Sequence, residues 1–214
     1  MKMTMNRRKF IQSSALAAVS TLVLQNKLQA LTLNSGFNKH LLIDLGAVRF
    51  QDVITDAEQT AMPRLLQLIS SGELILEASD QAMNTNNKLT ELLENAILFE
   101  LRTYDQPSVF YDIALIQSSI DSVIHASQNL FVKIHQTEMA HYNVEAYRSL
   151  LSQADELISK NFMRLTQSGV QVHIYSSSGR NLKPDEYGGL HHHATDSNCK
   201  KTFYMQSATV QKIV

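Results

Sequence analysis

The fold prediction rests on the segment Asp121-Ser-Val-Ile-His-Ala-Ser-Gln-Asn-Leu-Phe-Val-Lys-Ile-His-Gln-Thr-Glu-Met-Ala-His141. It lies within residues 73–168, which contain no glycine and a single proline, Pro107. Because glycine and proline are the usual breakers of helices, this composition predicts a run of helices, with a long one from Asp121 to about Leu151. One face of that helix carries four apolar residues: Ile120, Ile124, Phe131 and Ile134.

The same helical face continues into Glu138, His141 and Glu145. A buried carboxylate is costly without a compensating partner, and a metal ion is one such partner. The pattern Glu-x-x-His places two metal ligands one turn apart on one face. The alternative is that Glu138 and His141 form a satisfied polar pair or face a groove between helices.

A second acidic residue lies on the helix predicted to face this one. Glu100 falls between Ile97 and Tyr104 on the apolar stripe of a helix over residues 88–105. A turn near residue 119 is 19 positions from Glu100 (119 − 100) and 19 from Glu138 (138 − 119). An antiparallel hairpin would therefore bring the two carboxylates to the same level.

The pattern changes after Gly169. Val170, Val172 and Ile174 alternate with polar or aromatic residues, which is typical of a strand. Residues 202–204 and 208–214 are expected to form a second strand pair, and residues 40–45 a short strand or an extended linker. These signals predict a small β-containing C-terminal appendage over residues 169–214.

Residues 1–30 have the layout of an export signal, a basic start followed by an apolar run, Ser14 to Leu24, that is too short to span a bilayer core of about 30 Å. Asn6-Arg7-Arg8-Lys9-Phe10-Ile11 resembles the twin-arginine (Tat) signal. The resemblance implies a periplasmic protein, with the signal either cleaved or retained as an anchor. Its partner would be the Tat export machinery, and the signal would be its only contact with a membrane.

The helical segments carry a second resemblance. Leu93-Glu-Asn-Ala-Ile-Leu-Phe-Glu-Leu-Arg-Thr-Tyr104, followed by Glu138-Met-Ala-His141, resembles the first half of a ferritin-like carboxylate protein. This implies an all-α fold, a ferritin-like bundle of four to five helices over residues 31–168. It also implies iron or manganese bound by Glu100 as terminal ligand, Glu138 as bridging ligand and His141 as imidazole ligand. No second Glu-x-x-His follows, so either the second half is degenerate or a homodimer pairs two half-sites.

A histidine-rich stretch near the C-terminus offers other metal ligands. His191, His192 and His193 precede Asp196 and the single cysteine, Cys199. Consecutive histidines can capture Zn, Cu or Ni, and the alternative is a solvated polar loop. With one cysteine, no intramolecular disulfide can form.

Composition narrows the function classes. The chain has 214 residues, 44% of them apolar, and a net charge of −1, which argues against nucleic-acid binding. Two hypotheses remain, and the sequence does not decide whether the protein is an enzyme. The first is an exported ferritin-like protein that binds a transition metal. The alternative is a non-catalytic Tat-exported accessory or escort subunit of a periplasmic oxidoreductase, with that redox enzyme as its partner.

Overall fold

The computed structural model describes residues 37–54, 60–79, 87–100, 109–180, 189–190 and 197–208. The export signal, residues 209–214 of the expected strand pair, and His191, His192, His193 and Asp196 lie outside these ranges. Within them, the strands are β1 (Lys39–Asp44), β2 (Leu74–Ser79), β3 (Ala96–Leu98), β4 (Asn129–Lys133), β5 (Val170–Tyr175) and β6 (Thr202–Ser207). The α-helices are α1 (Phe50–Val53), α2 (Pro63–Ser70), α3 (Asn87–Glu94), α4 (Val109–His125) and α5 (Val144–Gln167). Two 3₁₀ helices cover Gln136–His141 and Ser197–Lys200.

The six strands form one mixed sheet in the order β2-β6-β5-β1-β4-β3. β1 lies at its centre and pairs in parallel with both β4 and β5, while β6 runs antiparallel to its two neighbours. The prediction of an all-α ferritin-like bundle is therefore wrong. The predicted C-terminal appendage is wrong as well, because β5 and β6 pair within the same sheet as β1 and β2.

The helices pack mainly on one face of this sheet. Alternate residues of the central strands, such as Leu41, Ile43, Val172 and Ile174, are fully buried in a large core with α2, α4 and α5. The opposite face carries a smaller cluster in which Leu89 of α3 covers Leu42, Tyr175 and Tyr204. Both sides of the central strands are therefore covered; the side that faces the large core is uniformly apolar, and the other side is mixed.

The long helix predicted from Asp121 to Leu151 does not exist. Helix α4 ends at His125, strand β4 follows at Asn129–Lys133, and α5 begins only at Val144. A segment without glycine can form a helix, but the lack of glycine does not by itself favour a helix over a strand. The run Leu130-Phe131-Val132 instead has the β-branched and aromatic character that suits a pleated strand between two neighbours.

Candidate functional site at the carboxyl edge of the sheet

Three adjacent parallel strands, β5, β1 and β4, end at the same side of the sheet. We call this region, residues 44–47, 133–141 and 175–180, the carboxyl edge. In open α/β sheets, ligands bind in the crevice outside the carboxyl ends of the strands. The carboxyl edge is such a region, because the carboxyl ends of β5, β1 and β4 lie side by side there.

Asp44 is the last residue of β1 and is buried, with 4% of its surface exposed. Its carboxylate accepts the amide of Gly46 at 2.7 Å, and the nearby hydroxyl and amide of Ser177 lower its pKa. Lys133, its register partner at the end of β4, adds a nearby positive charge. Burial raises the pKa of Asp44, and these bonds and the lysine oppose that shift only in part. The three strand ends thus bring together a carboxylate, a hydroxyl and an ammonium group.

Gly46 allows the backbone after β1 to pass close to the segment after β4. Its φ is +69°, and a Cβ there would lie 2.6 Å from Thr137 Oγ1 and 3.2 Å from the carbonyl oxygen of Ile134. Only glycine fits this combination of left-handed backbone and close approach. The Thr137 hydroxyl is buried and has no hydrogen-bond partner among the described residues.

Arg180 is the buried cation of the carboxyl edge, with 1% of its surface exposed. Its guanidinium donates to the carbonyl oxygens of Ala47 at 2.6 Å, Thr137 at 2.7 Å and Leu190 at 2.8 Å. One terminal nitrogen also lies 3.3 Å from a Glu138 carboxylate oxygen. Arg180 therefore joins the segments after β1 and β4 and residue 190 to its own segment after β5.

Glu138 and His141, two of the three predicted metal ligands, contact each other. His141 Nε2 lies 2.9 Å from Glu138 Oε2, within the 3₁₀ helix Gln136–His141. Half of the Glu138 side chain is exposed, whereas Arg180 behind it is buried. Glu100 lies just after the edge strand β3 and is exposed. The facing helices that were expected to bring Glu100 to Glu138 are replaced by strands and a 3₁₀ helix, so that argument no longer holds.

A second charged cluster anchors the segment after β1 to α5. Arg49 binds Asp52 through two bonds, Nε to Oδ2 at 2.8 Å and Nη2 to Oδ1 at 2.6 Å. The Tyr147 hydroxyl donates to Asp52 Oδ2 at 2.9 Å, and the Tyr147 ring lies 5.8 Å from the Arg180 guanidinium carbon. This geometry connects Asp52 through Tyr147 to Arg180.

The sequence analysis missed Asp44, Ser177 and Arg180. A usable signal was present, since the alternating residues 170–175 run directly into Ser176-Ser-Ser-Gly179. A strand followed by a short polar turn is the pattern of a strand end that carries a site. Cys199 is buried, and it is not in a disulfide.

A metal ion in a protein is held by several donor side chains that lie close together. Among the residues with described positions, no group of three or more His, Cys, Asp or Glu side chains is arranged to hold a metal ion. At the carboxyl edge, Asp44 accepts the amide of Gly46, its register partner on β5 is Tyr175, and serines follow that strand. The metal role of Glu100, Glu138 and His141 stays a prediction.

No described helix is long and apolar enough to cross a membrane. No family model matches the chain, and no curated protein matches it.

Solved structures do resemble it. The C-terminal periplasmic domain of EcEptC from Escherichia coli has a TM-score of 0.53 and 8% identity, covering 83% of this chain and 74% of that one. A Zn complex of the same domain has a TM-score of 0.52 and 7% identity, with the same coverage. The metal in that complex is zinc, whereas the resemblance to ferritin-like proteins implied iron or manganese.

The soluble domain of lipooligosaccharide phosphoethanolamine transferase A from Neisseria meningitidis is a further neighbour. Its TM-score is 0.50 at 12% identity, covering 83% of this chain and 79% of that one. The likeness to these domains overturns the ferritin-like assignment and the function inferred from it. At such low identities it extends to the fold alone, and the chain shares the mixed α/β fold of these transferase and periplasmic domains.

Proposed function

We propose that the chain is an exported domain that binds a phosphorylated head group at its carboxyl edge and transfers the phosphoryl-bearing group. The fold neighbours support this, because one is a phosphoethanolamine transferase domain and another is a periplasmic domain. The basic and apolar start of the chain supports export by the twin-arginine route to the periplasm.

One observation carries the proposal. Asp44 and Lys133 end two neighbouring strands, Ser177 lies just after a third, and the three meet at the carboxyl ends of the strands, where α/β sheets bind their ligands. Lys133 is exposed and supplies positive charge for a phosphate group. Ser177 is exposed as well, and its hydroxyl lies close enough to the buried Asp44 carboxyl group to lower the pKa of that group.

The chemistry follows from these contacts. Ser177 Oγ is the nucleophile of the proposed transfer and attacks phosphorus, so an Oγ–P bond forms while the bond from phosphorus to the departing oxygen breaks. Asp44 accepts the Ser177 proton, a role favoured by the upward shift of its pKa. The departing oxygen takes a proton from water. Lys133 offsets the negative charge of the phosphoryl oxygens.

Binding and turnover are tested on the purified full chain. Isothermal titration calorimetry with O-phosphoethanolamine should show binding, and ethanolamine, which lacks the phosphate, should not bind. Lys133→Met should weaken the affinity about 10-fold, the value of one charge contact of ~1.4 kcal/mol. Lys160→Met is the matched control, because Lys160 is an exposed lysine on α5.

Transfer is tested separately with p-nitrophenyl phosphate as donor. Ser177→Ala should abolish release of p-nitrophenol and leave O-phosphoethanolamine binding intact. If the wild-type chain binds but releases none, the transfer step is wrong and a binding role remains. If it binds no phosphoester, or if Lys160→Met weakens binding as much as Lys133→Met, the whole proposal fails.

A further inference from the structure

Arg180 differs from an ordinary surface arginine because it is buried at the carboxyl edge. Its guanidinium is buried and is surrounded by oxygen atoms, three from main-chain carbonyls and one from a carboxylate. A ring of oxygens drawn from separate segments is also how proteins hold a hard divalent cation. Here the positive charge belongs to the chain itself.

The three carbonyl groups come from segments that are far apart in sequence. Ala47 follows β1 and lies 133 positions from Arg180, Thr137 follows β4 at a separation of 43, and Leu190 is 10 positions away. A planar guanidinium presents its donors in a fixed fork, so it can hold three such groups in one geometry. A lysine ammonium is a compact charge and cannot reproduce that fork.

Neighbouring main-chain bonds depend on the same arrangement. The Leu190 amide donates to the Ala140 carbonyl at 2.6 Å, the Gly179 amide to the Cys199 carbonyl at 2.9 Å, and the Val48 amide to the Ser178 carbonyl at 3.0 Å. Each of these bonds closes a segment that Arg180 also contacts or adjoins. Loss of the guanidinium should therefore open the carboxyl edge before the sheet itself opens.

We propose that Arg180 is the internal cation that assembles the carboxyl edge by holding these segments together. The donor set supports this, since the described part of the chain has no metal-holding group of three ligands, whereas a fold neighbour has been solved with Zn. Arg180 is thus a positioning residue, and the assembly of the edge is independent of added metal. The inference does not depend on phosphoester binding and can fail separately from it.

Metal independence is tested first on the purified full chain. Treatment with EDTA should leave the melting temperature unchanged, and added ZnSO₄ should not raise it. Metal analysis of the purified protein by mass spectrometry complements this experiment. A drop in melting temperature on chelation, restored by one equivalent of zinc, would overturn the proposal.

The positioning role is tested by substitution and hydrogen exchange. Arg180→Lys keeps the charge but loses the fork, and amides 48, 179 and 190 should then exchange ~100-fold faster while those of Leu41 and Ile43 in β1 stay protected. Arg180→Met should do the same and lower the melting temperature by about 10 °C. Arg164→Lys is the matched control, because Arg164 makes an exposed ion pair with Asp121.

Hydrogen exchange separates positioning from general stability. A merely structural role would raise exchange in β1 and at the carboxyl edge together, and that outcome would contradict the proposal. Full retention of protection in Arg180→Lys would contradict it as well. If Arg180→Met fails to fold, Arg180→Lys alone gives the answer.

Discussion

Arg49 and Asp52 form a buried two-bond ion pair in the segment that follows the central strand. The exposed fractions of their side chains are 10% and 2%. The Tyr147 hydroxyl donates a further hydrogen bond to the Asp52 carboxylate. A terminal nitrogen of Arg148 lies 3.7 Å from Asp52 Oδ1, which is beyond hydrogen-bond distance. The pair therefore ties α1 to the start of α5 beneath the carboxyl edge.

We expect Asp52→Asn to destabilise the protein by roughly 3 kcal/mol, because it leaves the Arg49 charge buried without its counterion. Chemical denaturation followed by circular dichroism measures this change. The control is Asp121→Asn, which breaks the exposed Arg164–Asp121 pair and should cost less than about 1 kcal/mol. Equal losses of unfolding free energy in the two variants would show that the buried pair stabilises the protein no more than the exposed pair does.

The raised pKa of the buried Asp112 side chain predicts how the stability of the protein changes with pH. Burial raises its pKa from 3.8 to about 6, although its Oδ2 accepts the amides of His135 at 3.1 Å and Gln136 at 2.7 Å. The folded state then binds a proton more tightly than the unfolded state. Between about pH 4 and pH 6 the free energy of unfolding should fall as pH rises, by roughly 3 kcal/mol in all.

Asp112→Asn removes this titration, so the variant should lose less stability than the wild type between pH 4 and pH 7. Urea unfolding at a series of pH values gives both curves. Asp44 and Asp155, whose pKa values are also raised by burial, contribute to both proteins and cancel in the difference. Parallel curves would mean that Asp112 does not titrate in this range.

Two glycines with positive φ, Gly72 and Gly46, allow the cost of left-handed backbone strain to be measured separately from the cost of steric contact. Gly72→Ala meets no atom within 4 Å and should cost only the left-handed strain, about 1 kcal/mol. Gly46→Ala adds the contacts with Thr137 and Ile134 and should cost roughly 3 kcal/mol or more.

The double variant Gly46→Ala/Thr137→Ala removes the hydroxyl at 2.6 Å and should recover part of that loss. Thermal unfolding of the single and double variants forms the complete cycle. Additive losses would indicate that the backbone after β1 does not press on Thr137.

The elements that were predicted well share one property: their own pattern specifies them. Strand β5 was recognisable because Val170, Val172 and Ile174 alternate, and the structure has a strand at Val170–Tyr175. The pattern of residues 40–45 fits either a strand or a linker, and these residues form most of β1. Local alternation is enough to identify a strand, but it does not say which other strands complete the sheet.

The failures came from segments whose structure is decided by distant partners. Strand β4 pairs with β1, about 90 residues earlier, and nothing within residues 129–133 shows that pairing. Asp155 likewise depends on a distant partner: it lies in the middle of α5, where its carboxylate accepts the amides of Arg64 and Leu65 at the start of α2. The candidate site depends on three strand ends meeting, so it was invisible until the sheet order was known.

Amide chemical shifts of the ¹⁵N-labelled full chain, titrated with O-phosphoethanolamine, test the central claim most directly. We expect saturable shifts at Gly46, Lys133 and Ser177, with ethanolamine producing none. Shifts confined to other parts of the protein, or no shift at about 10 mM, ten times a millimolar Kd, would contradict a phosphoester site at the carboxyl edge.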